Sequence, residues 1–219
     1  MVMQIDQIKK IIRSLIKYFK YKYRNIIIQY PIFFNQKIKI IIGAAETFQE
    51  GWYSTNENWL DISSKNDWHK IFKNKKLITN ILSEHVFEHL SKNELEKTLQ
   101  NIYEYTLETC VIRIAVPDGF NPNKEYLKNV GINGIGADAK DHKQLFNSES
   151  LTKILALAGF DSVIQEGYKK NGELILNDIS SENGIVMRSR NNKSKNIILD
   201  KQWLFHDSRT SLIIDAFKK

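Results

Sequence analysis

The stretch Leu82–Leu90, "LSEHVFEHL", sets Glu84, His85, Glu88 and His89 inside nine residues. It reads in two ways. His85-x-x-Glu88-His89 is the spelling of a zinc hydrolase, with the two imidazoles as ligands and Glu88 as general base. That reading needs a third ligand, for which His142, Glu94 and Asp118 are available. Alternatively, a buried strand, "KKLITNILSE" (Lys75–Glu84), ends here and "EHVFEHL" opens a helix. A zinc site of the first kind rests on a long helix. Here the first histidine follows directly on a strand, so the second reading governs, and the chain is expected to be an α/β protein.

The flanking sequence continues that pattern. "KIKIIIG" (Lys37–Gly43) is a β-branched run that ends at a glycine, as a strand buried on both faces of a parallel sheet does. "GWYSTN" (Gly51–Asn56) is a second short strand, "WLDI" follows closely, and "DWHKIF" is a short helix. "SKNELEKTLQNIYEYTLE" is a longer helix whose Ser91 and Glu94 spell a capping box. "CVIRIAVPDG" (Cys110–Gly119) is a strand closed by a Pro-Asp-Gly turn. A helix from about Ser148 is stopped by Gly159. "SVIQEGY" and "SLIIDAFKK" are late strands with no helix between them, the makings of an antiparallel hairpin at one sheet edge. Strands alternating with helices predict an open, mostly parallel sheet with helices on both faces. Residues 119–147 and 168–210 read as polar loops over the active face.

Composition sets the limits. The 219 residues suit one α/β domain, residues 36–219, behind an N-terminal extension, residues 1–35. Cys110 is the single cysteine. It excludes an internal disulfide and a zinc–thiolate centre, fits a reducing cytoplasm, and suits a buried strand position. No apolar run approaches the roughly 18 residues of a membrane span, and no signal peptide is evident. The net charge is +7, but residues 1–24 hold seven Lys and Arg against Asp6 alone. The rest of the chain is left near +1, which argues against a nucleic-acid-binding surface. In that basic segment Ile5, Ile8, Ile11, Ile12, Leu15, Ile16 and Phe19 recur at helical spacing, with lysines opposite. Residues 5–24 therefore predict either a capping helix with a solvated basic face, or contact with an anionic membrane surface at the cytoplasmic face or an acidic partner. Pro31 and "FFNQ" are expected to end the segment.

In an open parallel sheet a ligand binds beyond the carboxyl ends of the strands. After the first strand, Gly43, Ala44 and Ala45 would let a cofactor approach the backbone. G-x-G-x-x-G and the P-loop lysine are both missing, so the turn suits a cofactor without phosphates. After the second strand Asn56, Glu57 and Asp61 are available to a ribose diol, or else to turn and cap chemistry.

Taken together, "IIIGAAETFQEGWYSTN…LDI", "SEHVFEHLS", "VIRIAVPDG", "HKQLFN" with "LTKILALAGF", and "TSLIIDAFKK" stand in a recognisable order. Over about residues 37–218 the chain resembles a family of class I S-adenosylmethionine-dependent methyltransferases marked by E-H-x-x-E-H-L and R-I-A-V-P-D motifs. The resemblance implies a Rossmann-like α/β fold with S-adenosyl-L-methionine as cofactor. It implies that Gly43, Ala44 and Ala45 flank the methionine part, that Asn56 stands where the ribose-binding acid is usual, and that Asp61 lies near the adenine. Ser83, Glu84 and His85 would meet cofactor and substrate. Two departures stand out: the usual acid is Asn56, and "LETC" replaces the common Pro-Gly-Gly turn. A degenerate methyltransferase-like binding subunit is therefore an alternative, as is the zinc hydrolase. Methyl transfer to a hydroxyl needs a general base, for which His85, His142 and Asp118 are the candidates. A small hydroxylated acceptor, a sugar or a surface-polysaccharide precursor, is the expected substrate.

Overall fold

The computed structural model describes residue 23 and residues 26–45, 47–136, 139–191 and 210–219. The expectation for residues 5–24 thus falls almost wholly outside the described residues. The elements run α1 (residues 26–33), β1 (Ile38–Ile42), β2 (Trp52–Ser54), α2 (Lys65–Phe72), β3 (Ile78–Glu84), α3 (Lys92–Tyr105), β4 (Thr106–Val116), α4 (Lys124–Val130), α5 (Ser148–Leu157), β5 (Phe160–Tyr168), β6 (Leu174–Leu176) and β7 (Leu212–Lys218). Three single 3-10 turns, Phe87–His89, Ala139–Asp141 and Ser181–Asn183, interrupt the loops.

One sheet holds every strand among the described residues, in the order β2-β1-β3-β4-β7-β5-β6. β2, β1, β3 and β4 pair in parallel, β7 inserts antiparallel between β4 and β5, and β6 folds back on β5 as an edge hairpin. This is a Rossmann-like α/β fold with an antiparallel edge hairpin, as expected, but the hairpin is β5–β6 rather than the two late strands β5 and β7, β7 is interior, and the helices that build the main core pack on one face instead of both.

Period-two alternation sorts the strands into two faces. Ile38, Ile40, Ile42, Ile112, Ile114, Leu212 and Ile214 face a large core that also takes Ile28 and Ile32 of α1, Trp68 and Phe72 of α2, Leu95 and Ile102 of α3, and Leu151 and Leu155 of α5. On the opposite face the apolar patch is small, formed by Ile41, Trp52, Leu82, Ala115 and Ile213. Its cover is not a helix but an irregular strap, residues 179–190, which contributes Val186 and Ile179. The handedness of crossovers explains this. Connections that step from β2 past β1 to β3, and from β3 to β4, must lie on the first face to be right-handed. Of the connections among the four parallel strands only β1–β2 steps the other way, and its described residues between Gly43 and Gly51 form no helix; the strap itself belongs to the connection that returns from β6 to β7.

Polar groups hold the strap in place. Arg113 donates from Nη1 to Ser180 O and Gly184 O, both at 2.6 Å. Its Nε and Nη2 pair with Asp215 Oδ1 and Oδ2, each at 2.7 Å. Glu166, fully buried, accepts from Ser189 Oγ and from the Arg190 amide and guanidinium. Lys39 donates to Glu182 O, and Asn80 to Asn183.

α1 runs through Pro31 and ends at residue 33, inside the expected "FFNQ" stop, where Asn35 at φ 53° closes it. Ile28 and Ile32, a turn apart and buried in the core, hold the helix through the proline. The segment after β3 forms only one 3-10 turn before Leu90, and α3 begins afresh behind its capping box, with Ser91 Oγ accepting from Glu94 N and Glu94 Oε2 from Ser91 N. "LETC" is no turn at all: β4 starts at Thr106, directly after α3.

Candidate functional site

The carboxyl ends of β1, β2, β3 and β4 lie side by side, and most of the expected site residues sit on them. Gly43 turns the chain at φ 59° and Ala45 at φ 45°, both left-handed. For an alanine that conformation costs about 1–2 kcal/mol. The side of Gly43 that lacks a Cβ is packed against the Val86 isopropyl group, so the protein itself uses that space. Ala44 N donates to Thr55 O, and Thr55 N to Ile41 O, which ties the turn to the end of β2. Asn56, nearly buried, reaches back with Nδ2 3.5 Å from Ala45 O. Glu57 is exposed beside it. Asp61 stands apart in its own turn, accepting from Ser63 N and Ser63 Oγ at 2.9 Å.

At the end of β3 consecutive residues take different tasks. Ser83 is buried with no hydrogen-bond partner for Oγ among the described residues. Glu84 points to the strap, where its two oxygens accept the amides of Met187 (3.0 Å) and Arg188 (2.8 Å). His85 then adopts φ 53°. Its Nδ1 lies 2.9 Å from Glu88 Oε1 and its Nε2 3.2 Å from Ser211 Oγ, at the entry to β7. Ser211 Oγ is also 2.9 Å from Arg188 O, and its one proton serves one of the two partners. The ring is half-buried and the Glu88 carboxylate wholly so. Burial, the largest single influence, pushes the Glu88 carboxyl up, but the His85 hydrogen bond, the charges of His85 and His89 and a main-chain hydrogen bond together outweigh it and the net displacement is downward. Glu88 therefore stays ionised and holds a proton on His85 Nδ1.

Asp118 is fully buried beyond β4. Its carboxylate accepts the amides of Phe120 (3.0 Å) and Tyr168 (2.7 Å), and burial raises its pKa. Both oxygens are thus committed to main chain, in a clamp between the Pro-Asp-Gly turn and the end of β5. His142 is nearly buried and distant in sequence, yet its ring meets that of His89 edge-on, centroids 4.8 Å apart. The structure thus gathers Gly43, Ala44, Ala45, Asn56 and Glu57 in one neighbourhood, and His85, Glu88 and Ser211 in a second. Asp61 and Asp118 stay outside both. Sequence reasoning missed Ser211, which carries no motif, and gave Glu88 a chemical role only in the zinc-hydrolase alternative. Glu88 comes three residues after His85, and the left-handed step at His85 followed by the 3-10 turn at Phe87–His89 brings the two together.

No family model matches the chain, and no curated protein does. Several solved structures are similar to it, three of them as follows. A SAM-dependent methyltransferase from Archaeoglobus fulgidus is 17% identical, with 94% of each chain covered and a TM-score of 0.48. One from Thermotoga maritima is 13% identical over 94% of this chain and 97% of that one, at 0.46. The 1,6-didemethyltoxoflavin-N1-methyltransferase of Burkholderia thailandensis is 10% identical over 100% and 88%, at 0.44.

Proposed function

We propose that the chain is an S-adenosylmethionine-dependent methyltransferase that O-methylates a small hydroxylated acceptor, a sugar or surface-polysaccharide precursor. The observation that carries this reading is the meeting of the Gly43–Ala45 turn with Asn56 at the carboxyl ends of the adjacent parallel strands β1 and β2. Ala44 and Ala45 keep the turn free of large side chains. Asn56 brings an amide to where a ribose diol would lie, and exposed Glu57 supplies the carboxylate that Asn56 lacks. The residues therefore fit a nucleoside cofactor without phosphates. Such a cofactor supplies an electrophilic methyl on a sulfonium.

The chain's own contribution is alignment and proton management. His85 is the favoured base. Glu88 fixes Nδ1–H, leaving Nε2 to take the acceptor hydroxyl's proton once Ser211 yields its place, and the Glu88 charge then stabilises the imidazolium. Asp118, with both oxygens engaged, is not needed in this scheme. Among the described residues no helix is long and apolar enough to cross a membrane. A cytoplasmic enzyme, touching a membrane or partner through residues 5–24, is consistent with that.

Calorimetric titration of S-adenosylmethionine and S-adenosylhomocysteine tests the reading. Binding of either supports it, and Asn56→Asp should then tighten the complex by restoring a charged acceptor for the diol. No binding of either at millimolar concentration refutes it in favour of a degenerate binding subunit.

A further inference from the structure

Three side chains that the methyl-transfer reading leaves unused, or uses on one edge only, converge behind His85. Glu88, His89 and His142 each offer a ligand atom, and these atoms lie within 4.8 Å of one another. The 3-10 turn presents Glu88 and His89 in succession. The loop bearing His142 is fastened to that turn by main chain: Lys143 N and Gln144 N both donate to Glu88 O, at 2.8 and 3.1 Å, and Gln144 Nε2 donates to Leu90 O at 2.7 Å. The two segments are therefore held together whether or not anything lies between the side chains.

The donor atoms are also in the right state. His142 Nδ1 is 2.7 Å from Val130 O. A carbonyl only accepts, so Nδ1 carries the proton and Nε2 keeps its lone pair. This is the second-sphere contact that fixes a metal-binding imidazole. Glu88 is wholly buried, and its two oxygens differ: Oε1 is taken by His85 Nδ1, whereas Oε2 has no hydrogen-bond partner among the described residues. A buried anionic oxygen without a donor is costly unless a cation supplies the missing interaction.

We propose that Glu88 Oε2, a ring nitrogen of His89 and Nε2 of His142 hold a divalent transition-metal ion, zinc in the first instance. Two imidazoles and a carboxylate form a borderline donor set that suits zinc and disfavours magnesium or calcium, which take oxygen ligands. His89 is partly exposed while the other two ligands are buried, so the coordination sphere stays open on the His89 side to water or an exchangeable oxygen donor. This is not the site that the His85-x-x-Glu88-His89 spelling implies. His85 is not a ligand but a positioning residue, holding Glu88 Oε1 so that Oε2 faces the ion. The carboxylate is a ligand and not a base. The site needs no methyl donor and stands independently of the proposed transferase activity.

The test uses the full chain, stripped with a chelator and titrated with zinc against a chromophoric competitor, with cobalt as a spectroscopic probe. One ion per chain is expected, together with visible cobalt absorption indicating nitrogen and oxygen ligands. Glu88→Gln and His142→Ala should each weaken zinc binding at least 100-fold, and His85→Ala about 10- to 100-fold, as loss of a second-sphere partner does. Circular dichroism checks folding. His89→Ala, at the one ligand position that is partly exposed, gives the same loss of binding with the least risk to the core. Failure to bind a stoichiometric ion overturns the proposal, and so does binding unchanged in His89→Ala and His142→Ala. S-adenosylmethionine calorimetry on the same stripped samples reports separately on the transferase reading, so the two can fail independently.

Discussion

Asp215→Ala should be among the most damaging single substitutions in the sheet. Arg113 and Asp215 face each other across β4 and β7 in direct register. Their side chains are 1% and 3% exposed, and both bonds of the bidentate pair measure 2.7 Å. Gln165 Nε2 adds a third contact to Asp215 at 3.2 Å. Removing the carboxylate leaves a buried guanidinium with only the carbonyls of Ser180 and Gly184. Breaking a buried pair from one side costs about 3–5 kcal/mol, because the remaining charge is uncompensated. The double variant Arg113→Met, Asp215→Leu removes both charges, so the pair itself becomes close to neutral in cost. What it loses is the strap's anchor: two carbonyls give up a charged donor, each contact worth about 1.5–3 kcal/mol before the strap relaxes into solvent. The double variant should therefore be more stable than Asp215→Ala, yet far more sensitive to proteolysis between residues 179 and 190. Urea unfolding and timed proteolysis measure the two effects separately. An Asp215→Ala loss below about 1 kcal/mol would refute the reasoning on the pair. Unchanged cleavage of the double variant would refute the role of Arg113 in holding the strap.

The other predictions concern the turn, the acid limb and the N-terminus. Ala45→Gly should stabilise the fold by about 0.5–1 kcal/mol, the relief of a left-handed alanine less the entropy that glycine adds to the unfolded chain; a lower urea midpoint would contradict the assignment of strain there. Glu94 is held down to about 2, first by hydrogen bonds from Ser91 and then by Lys143. Its contribution is thus present above the ordinary value of 4.5 and lost as pH falls toward 2. Glu94→Gln should flatten the loss of stability across that window, by a modest amount because the side chain is 40% exposed; an unchanged slope in urea midpoints at successive pH values would count against the capping box as its cause. The full chain should sediment with anionic but not neutral vesicles, release as salt rises, and lose the effect when Lys9, Lys10, Arg13 and Lys17 become Gln. Equal sedimentation with neutral vesicles would dismiss the electrostatic contact.

The strands and α3, with its capping box, were legible because each is specified locally: β-branched runs, turn glycines, and Ser91 three residues before Glu94. The second face was not. Among the described residues its cover supplies Ile179 and Val186 as apolar contacts, and much of its attachment comes from Arg113, Glu84 and Glu166 bonding to main chain. Charged residues inside strands look like candidate chemistry in a sequence, and nothing local tells an anchor for distant backbone from a catalytic group. The pairing of His89 with His142 was hidden for a related reason: it is made by the Glu88 carbonyl capturing Lys143 and Gln144, a main-chain contact between remote segments that leaves no pattern in side-chain types.

Glu84, His85 and Glu88 stand four positions apart at most, yet they serve different partners because the backbone changes direction between them. Strand alternation carries Glu84 to the second face and the strap. The left-handed step at His85 then breaks that alternation, so the imidazole lies between Ser211 and Glu88. The 3-10 turn returns Glu88 toward His85 and leaves its carboxylate within reach of His89 and His142. Three carboxylate or imidazole substitutions in one short stretch should accordingly separate by readout. Glu84→Gln should loosen residues 187–188 without changing zinc affinity, Glu88→Gln should abolish zinc binding while the strap holds, and His85→Ala should weaken the zinc site and remove the base together. If Glu84→Gln and Glu88→Gln instead gave the same phenotype, the corner would be acting as one structural knot and the division of roles would fall.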